Sequence, residues 1–435
     1  MTFEHVVSYR KGAKFIAGLC FISLLIGWTL DLTLLHWKQY KSQHNLTLLS
    51  TSATINDNSN NLSTLSSDQI TIKKTNINWT DKNSDPFSLQ MKTVLEKAFS
   101  SSVGNIDIVP FYFKAKHDPI ENDITILTSI TRSRISTLKR LAERYQGPIS
   151  VTVHITPDEH GQSTIDLLKE TIQTSKAMEQ YVDIHVVKDK MERQLNLWRN
   201  VARFFARTSN IMMLDVDFYL CTDFRKNILT NPIAMSLLND GRAALVIPAF
   251  EFTKQEDGLD YQTFPTTKKD LLDLYRDEKI DMFHSFWTPG HAPSNYTLWA
   301  SSTDDLDIYP VTTYQQSYEP YIVYKKDGAP WCDERFFGYG SNKAACLFEI
   351  YVSGIDFYVM PNDFIIHQTH DYPNEARNLE RFYNRRLYNH FREEVCLRYG
   401  RMFLSQGEWE SSKSANLIEQ CNRLPTFKST FKHFM

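Results

Sequence analysis

Between residues 123 and 217 the chain alternates apolar stretches typical of strands with amphipathic stretches typical of helices. Such an alternation predicts βαβ units, a parallel sheet and therefore an α/β fold. No G-x-G-x-x-G follows the first strand, which counts against a dinucleotide-binding dehydrogenase. The predicted strands are 123–130, 149–155, 182–187, 211–214 and 245–250, and the predicted helices are 87–99, 134–145, 163–181, 195–208 and 268–277.

The strand 211–214 runs directly into Asp215 and Asp217. Ligands of open α/β sheets bind at the carboxyl ends of strands, and an Asp-x-Asp placed there can hold a divalent cation that grips a diphosphate. The motif is common by chance, so an acidic strand end is the alternative. His367 also follows a short apolar segment, and two carboxylates with one imidazole favour Mn²⁺ over Ca²⁺.

A later acidic pair, Asp333 and Glu334, lies in a run rich in aromatic residues and glycines, 330–343. A partly buried carboxylate in such surroundings has a raised pKa and can take a proton from an attacking hydroxyl. The alternative is a surface cluster of ion pairs with Arg335.

The N-terminal region carries a run of 21 mostly apolar residues from Phe15 to Leu35, which is long enough to cross a bilayer. Basic residues precede it, which predicts a cytosolic N-terminus, although a cleaved signal peptide is the alternative. Residues 39–83 are crowded with Ser, Thr and Asn, as in a flexible stem. We therefore expect a cytosolic tail at 1–14, a transmembrane signal-anchor at 15–35, a lumenal stem at 36–105 and a catalytic domain at 106–435.

Composition excludes one class of partner and limits the disulfides. The formal net charge is −3, and the chain shows no basic stripe interleaved with aromatics, so we expect no nucleic-acid binding. Of six cysteines, Cys20 lies in the apolar run and five would face an oxidising lumen. Five allow at most two internal disulfides and leave one thiol over.

Several motifs occur together, in order, between residues 120 and 400: LNLWRNVA at 195–202, LDVD at 214–217, YEPY at 318–321, DERF at 333–336, GYG at 338–340, NK at 342–343, PN at 361–362, Phe364, IH at 366–367, His370 and RYG at 398–400. On these motifs the sequence resembles glycosyltransferase family 49, which includes the LARGE-like and β-1,4-glucuronyltransferase-like enzymes. The resemblance implies a GT-A-type, Rossmann-like nucleotide-sugar transferase domain, a UDP-sugar donor, Mn²⁺ and an inverting reaction.

The resemblance also implies roles for individual residues. Asp215, Asp217 and His367 would hold the metal, and Asp333 or Glu334 would be the catalytic base. Arg199 and Asn200 would border the nucleotide pocket. Thr128, Ser129 and Thr131 are expected to line the same pocket because of their position at the end of the first predicted strand, although polar residues after a strand are also common turn formers. The acceptor would be a hydroxyl of a glycan or glycoprotein, with glucuronic acid as the family's suggestion for the sugar.

The resemblance further implies a single-pass type II Golgi membrane protein with a lumenal catalytic domain. The alternative function is that of a membrane-anchored glycan-binding or scaffold protein that kept the fold and lost catalysis.

Overall fold

We describe the fold from a computed structural model, which describes residues 76–79, 87–102, 107–191, 193–302, 307–370 and 377–434. The chain divides into two compact units, 1–92 and 93–435. The predicted cytosolic tail, the signal-anchor and most of the predicted stem lie outside the described residues. Within the described part of the chain, no helix is both long and apolar enough to span a bilayer.

In the first unit, strand β1 (Asn76–Trp79) pairs with β2 (Phe87–Gln90) in antiparallel fashion. Helix α1 (Met91–Ala98) follows β2 directly. The predicted helix 87–99 is therefore wrong in its first four residues, because the alternating Phe-Ser-Leu-Gln segment pairs with a strand instead of continuing the helix.

The strands of the second unit, in chain order, are β3 (Asp107–Phe113), β4 (Ile124–Ile130), β5 (Ile149–Ile155), β6 (Val182–Lys188), β7 (Asn210–Met213), β8 (Phe218–Leu220), β9 (Ala243–Ile247), β10 (Ala249–Phe252), β11 (Ile280–Met282), β12 (Tyr309–Pro310), β13 (Tyr321–Lys325), β14 (Asp356–Val359) and β15 (Ile365–His367).

Its α-helices are α2 (Ile135–Tyr145), α3 (Glu159–Thr174), α4 (Lys176–Tyr181), α5 (Leu195–Phe204), α6 (Phe224–Thr230), α7 (Pro232–Asp240), α8 (Lys268–Arg276), α9 (Tyr296–Ser301), α10 (Asn342–Val352), α11 (Arg377–Gln406), α12 (Ala415–Cys421) and α13 (Pro425–Phe431).

Nine strands form the central sheet in the order β12-β14-β9-β13-β7-β4-β5-β6-β3. Strands β4 to β7 are parallel to their neighbours in this group, which confirms the α/β fold predicted from the strand–helix alternation. Strand β13 is antiparallel to both β7 and β9, so the sheet as a whole is mixed. The alternation therefore predicts only the half of the sheet that it covers.

Pro248 divides the predicted strand 245–250 between two sheets. Strand β9 ends just before it in the central sheet, and β10 begins just after it in a four-stranded sheet of order β11-β10-β15-β8. Proline has no N–H to give to a ladder, so the chain changes sheets there. The Pro248 carbonyl accepts a hydrogen bond from Ile365 N at 3.0 Å, which joins β15 to this break.

Other helix predictions need smaller corrections. The predicted helix 163–181 is two helices, because Ser175 ends α3 and accepts a hydrogen bond from Met178 N as the N-cap of α4. The predicted helix 195–208 ends at Phe204, while the predicted 134–145 and 268–277 agree with α2 and α8 to within a residue.

Two disulfides, Cys332–Cys346 and Cys396–Cys421, lie in the C-terminal half, and Cys221 is buried and free. This agrees with the expected limit of two disulfides and one remaining thiol. The first disulfide ties the loop that contains Asp333 and Glu334 to helix α10.

Candidate active site

The backbone brings the three predicted metal ligands to one edge of the central sheet. Asp215 and Asp217 follow β7, and the chain then enters β8. Strand β15 pairs with β8 so that His367 lies opposite Phe218, and Gln368 N donates to the Asp217 carbonyl at 2.9 Å. Residues separated by 150 positions in the sequence thus become neighbours through strand pairing.

Three side chains hold the carboxylate of Asp215. Lys343 Nζ lies 3.1 Å from Oδ2, the Tyr321 hydroxyl donates to Oδ2 at 2.8 Å, and Arg199 Nη2 lies 3.4 Å from Oδ1. Burial by itself would raise the pKa of Asp215, but the charges of Lys343 and Arg199 and the Tyr321 hydrogen bond outweigh it and hold that pKa well below its usual range. Asp215 is therefore an anion at any physiological pH.

Asp217 has its own cationic neighbour. Arg134 Nε lies 3.0 Å from Asp217 Oδ1, and His370 Nε2 lies 3.3 Å from Oδ2. Arg134 immediately precedes α2, in the turn that follows β4. The ends of β4 and β7 therefore meet at the Asp-x-Asp motif.

Three histidines near the two aspartates are neutral. His367 is 5% exposed and packs among the rings of Phe218 and Phe283, and burial lowers its pKa to about 4. Burial, followed by the charge of Lys343, lowers the pKa of His284 to about 4 and that of His291 well below the ordinary value. Neutral imidazole is the form that binds a metal.

The donor set fits a divalent cation that arrives with a diphosphate. Two carboxylates and a neutral imidazole suit Mn²⁺. In the ranges that the structure describes, however, the acids and histidines do not gather into a group of three or more able to hold a metal by themselves. A cation shared with substrate phosphates needs only one or two protein carboxylates, so the residues present are sufficient for that arrangement.

The predicted nucleotide-binding residues divide into two groups. Leu214 N donates to the Leu127 carbonyl at 3.0 Å, which places the next residue of β4, Thr128, beside the start of the Asp-x-Asp loop. Thr128 is buried, and its hydroxyl has no hydrogen-bond partner among the described residues. Ser129 is half-buried and Thr131 is exposed at the end of the same strand.

Helix α5 supplies the other two predicted residues. The helix is fixed on β5, since Thr152 Oγ1 donates to the Trp198 carbonyl at 2.7 Å and Ser150 Oγ to the Ala202 carbonyl at 2.6 Å. Arg199 reaches Asp215, whereas Asn200 Nδ2 donates to Glu334 Oε1 and to the Cys332 carbonyl, both at 2.8 Å. Asn200 thus positions the disulfide-bonded loop. Arg199 belongs, with Lys343 and Tyr321, to the group of side chains that contact Asp215, which we call the Asp215 cluster.

The predicted acidic pair lies in different surroundings. Asp333 pairs with Arg335, whose Nε is 2.9 Å from Oδ2, and Arg335 also binds Glu394, so Asp333 belongs to a group of ion pairs. Glu334 is 4% exposed and accepts hydrogen bonds from Asn200 and, at 3.1 Å, from Ser101 Oγ. Burial raises the pKa of Glu334.

Both acids line a cleft of about 780 Å³ between α5, the loop 330–335, α10 and α11. The exposed ring of Trp331 forms part of its wall. The structure thus places Asp215, Asp217 and His367 at one edge of the central sheet, with Arg199 beside Asp215. Asp333, Glu334 and Asn200 make their polar contacts elsewhere, at the loop 330–335.

Some residues of the Asp215 cluster were not assigned a role there from sequence. Tyr321 and Lys343 lie inside the YEPY and NK motifs, so the motifs carried a signal for them. Glu319 of YEPY belongs to the same surroundings: burial raises its pKa, and the charges of Lys343 and Arg199 act to lower it. Arg134 has no comparable signal, because nothing in its local sequence distinguishes it from other basic residues at a helix start.

An acidic motif among cations at the carboxyl edge of an α/β sheet is suited to enzymes that bind phosphorylated ligands. The profile of the family described as "Glycosyl-transferase for dystroglycan", glycosyltransferase family 49, matches residues 123–194 and 187–400, and the chain belongs to this family. The resemblance predicted from the motifs is thereby confirmed, and with it the glycosyltransferase class.

Among similar proteins, the xylosyl- and glucuronyltransferase LARGE1 of Homo sapiens is 27% identical over 300 residues, which cover 67% of this chain and 38% of LARGE1. LARGE2s of Danio rerio is 28% identical over 60% of this chain and 33% of its own length. The glycosyltransferase-like protein gnt14 of Dictyostelium discoideum is 31% identical over 58% of this chain and 38% of its own. The chain thus spans about a third of the length of these relatives.

A solved structure, GalNAc-T7 with UDP, GalNAc and Mn²⁺, aligns with a TM-score of 0.36 and 12% identity, covering 72% of this chain and 56% of that one.

Proposed function

We propose that this protein is an inverting GT-A glycosyltransferase that moves a sugar from a UDP-sugar to a hydroxyl of a glycan or glycoprotein. The observation that carries the proposal is the Asp-x-Asp motif at the end of β7, with Lys343, Arg199 and Arg134 around it. Cations grouped at such an edge attract a diphosphate, and the family is one of glycosyltransferases.

Asp215, Asp217 and His367 are the residues we propose to hold Mn²⁺. When bound, the ion supplies positive charge to the departing diphosphate. His367 is suited to this role because it is neutral and fixed by ring packing and strand pairing. Tyr321 orients Asp215 through its hydroxyl.

Thr128, Ser129 and Thr131 are proposed to line the uridine pocket together with Arg199. The support is the position of these residues beside the Asp-x-Asp loop, together with the Thr128 hydroxyl, whose hydrogen-bonding capacity the described residues leave unused. Asn200 would act indirectly, by holding the loop 332–334 against helix α5.

Three carboxyl groups are candidates for the base that takes the proton of the acceptor hydroxyl. Glu334 was predicted from sequence, and burial raises its pKa, which makes the carboxylate more basic. Glu319 has the same property and lies in the surroundings of Asp215 and Lys343. Asp333 is the weakest candidate because Arg335 neutralises it. We assign the role to Glu319, because the charges of Lys343, Arg199 and Asp215 at the proposed donor site act on its carboxyl group.

We propose glucuronic acid as the transferred sugar. The LARGE relatives are named for xylosyl and glucuronyl transfer, so these are the two activities to be tested first. A carboxylate on the sugar would add a negative charge to a ligand already surrounded by basic side chains.

We propose that the protein is anchored in the Golgi membrane by the residues from Phe15 to Leu35, with type II orientation and a lumenal catalytic domain. Two disulfides support an oxidising compartment. Asn295 of the sequon Asn295-Tyr296-Thr297 is exposed, so it is accessible to glycosylation there.

The test is a donor screen with the full-length protein in detergent and Mn²⁺, measuring UDP release. We expect release from UDP-glucuronic acid that exceeds release from UDP-xylose. If none of the UDP-sugars gives more UDP than a heat-denatured sample, the enzymatic proposal fails, and a glycan-binding or scaffold role takes its place.

A further inference from the structure

Lys343 is a buried cation with one carboxylate in contact. It lies in the first turn of α10, is 5% exposed, and its Nζ is 3.1 Å from Asp215 Oδ2 and 3.4 Å from the centre of the Tyr321 ring. A buried ammonium is costly unless an anion or a ring face compensates it. The Tyr321 ring face offsets part of this cost, and the Asp215 carboxylate supplies the opposite charge.

Both proposed metal-binding aspartates are already engaged by protein groups. Asp215 uses Oδ2 for Lys343 and Tyr321 and Oδ1 for Arg199, while Asp217 contacts Arg134 and His370. A divalent cation that binds Asp215 through Oδ2 must displace one of the two contacts on that oxygen. If the cation came alone, two positive charges would be added beside Lys343 and Arg199, and Lys343 would lose its carboxylate.

Arg199 is less able to move than Lys343. Its Nη1 donates to Asn196 Oδ1 at 2.9 Å and to Asn342 Oδ1 at 2.7 Å, so it keeps two partners without Asp215. A metal at Oδ2 would therefore replace the contact from Lys343, because the ammonium and the metal are both positively charged and compete for the same oxygen, while Arg199 stays at Oδ1. An anion that arrives with the metal would meet the displaced ammonium.

We propose that Lys343 is the resident counter-ion of Asp215 and is transferred to an oxygen of a nucleoside diphosphate when a divalent cation takes Asp215. This inference rests on the proposed function, since it requires metal and diphosphate to bind at this site. Its consequence is that the protein without a bound diphosphate has a low affinity for the metal, and that the metal and the diphosphate increase each other's affinity.

Glu319 offers the displaced ammonium another destination, because it is the other acidic side chain whose charge acts on Lys343. If Lys343 moved to Glu319, removing its charge would still favour the metal but would leave diphosphate affinity unchanged. Measuring both affinities therefore separates the two destinations.

The experiment titrates Mn²⁺ into full-length protein in detergent, with and without UDP, and UDP into the protein with saturating Mn²⁺, by calorimetry or by the spin resonance signal of free Mn²⁺. Lys343→Met keeps the length and apolar contacts of the side chain without its charge. We expect Mn²⁺ alone to bind this variant about tenfold more tightly than wild type, and UDP with Mn²⁺ to bind it about tenfold more weakly.

Lys343→Gln and Lys343→Arg accompany it. The glutamine variant can still donate to Asp215 and serves if the methionine variant fails to fold, as judged by its melting temperature; it should show the same two changes. The arginine variant should resemble wild type. Lys269→Met, an exposed lysine of α8, is the matched control and should change neither affinity.

The outcomes separate this inference from the proposed function. If wild type binds no UDP at any Mn²⁺ concentration, the proposed function fails and this inference with it. If wild type binds UDP with Mn²⁺ while the uncharged variants leave either affinity within twofold of wild type, the transfer of Lys343 to the diphosphate is wrong and the proposed function stands.

Discussion

Arg199 and Asn200 are consecutive residues of α5, yet their side chains bind two different acids: Arg199 binds Asp215, and Asn200 binds Glu334. Successive helical residues point about 100° apart, so one helix can present side chains to two separate places. Helix α5 thus borders both the Asp215 cluster and the cleft that contains Glu334.

Asp217→Asn should abolish sugar transfer with little change in fold. The substitution removes one carboxylate of the proposed Mn²⁺ site, and we expect UDP release to fall by at least about a hundredfold. The measurement is Mn²⁺-dependent UDP release together with a melting curve. Asp273→Asn, at an exposed position of α8, is the matched control and should keep wild-type activity. Near-normal turnover of Asp217→Asn would show that the metal assignment is wrong.

Two glutamine variants should identify the base. If Glu319 takes the proton of the acceptor, Glu319→Gln lowers the transfer rate by about 10²- to 10⁴-fold and leaves the affinity for UDP with Mn²⁺ nearly unchanged. Glu334→Gln should then retain most of the transfer rate, because Glu334 makes its hydrogen bonds to Asn200 and Ser101. The reverse pattern would return the role to Glu334, the residue predicted from sequence.

Acid should destabilise the protein through His185. This histidine of β6 is fully buried, its Nδ1 accepts a hydrogen bond from Phe111 N at 3.0 Å, and burial lowers its pKa to about 3. Below pH 6.5 His185 is protonated in the unfolded chain but stays neutral in the folded protein. The contribution of neutral His185 to the free energy of unfolding is therefore fully present above pH 6.5 and is lost as the pH falls toward 3. From pH 7 to pH 4.5 the loss is about 2–3 kcal/mol.

The measurement for His185 is the free energy of unfolding at pH 7 and at pH 4.5, for wild type and for His185→Gln. The variant should be less stable at pH 7 but should lose less stability on acidification. An equal loss in both proteins would mean that other groups cause the acid sensitivity.

Among the cysteines that the structure describes, Cys221 should be a protected thiol. Under native, non-reducing conditions an alkylating reagent should leave Cys221 unmodified, because burial raises the pKa of this thiol and covers its sulfur. After unfolding without reductant, peptide mass spectrometry should find Cys221 alkylated and the peptide pairs Cys332–Cys346 and Cys396–Cys421 linked. Any other pairing of the four would contradict the structure.

The sequence predicted well what depends on local pattern. Strands β4 to β7 follow from their apolar stretches, and the placement of Asp215 and Asp217 follows from the strand that precedes them. It predicted poorly what depends on contacts distant along the chain. Only the antiparallel insertion of β13 brings Tyr321 beside Asp215, and only the turn after β4 brings Arg134 to Asp217, so neither contact has a local signal.

The surroundings of Asp333 and Glu334 also depend on contacts distant along the chain, which the sequence did not predict. Asp333 and Glu334 are adjacent in sequence and equally plausible as bases, yet one is an ion-paired residue beside Arg335 and the other a buried hydrogen-bond acceptor. The difference arises from α5 and from the residues after α1, which the local motif does not contain.

The break between strands β9 and β10 at Pro248 helps to fix the position of His367 before any ligand binds. Because the Pro248 carbonyl accepts a hydrogen bond from the first amide of β15, the strand that ends in His367 is anchored where the chain passes from the central sheet to the four-stranded sheet. The imidazole is therefore carried on regular structure from the moment the chain folds. The conformational entropy of that side chain is therefore lost on folding and not on donor binding, which makes binding more favourable.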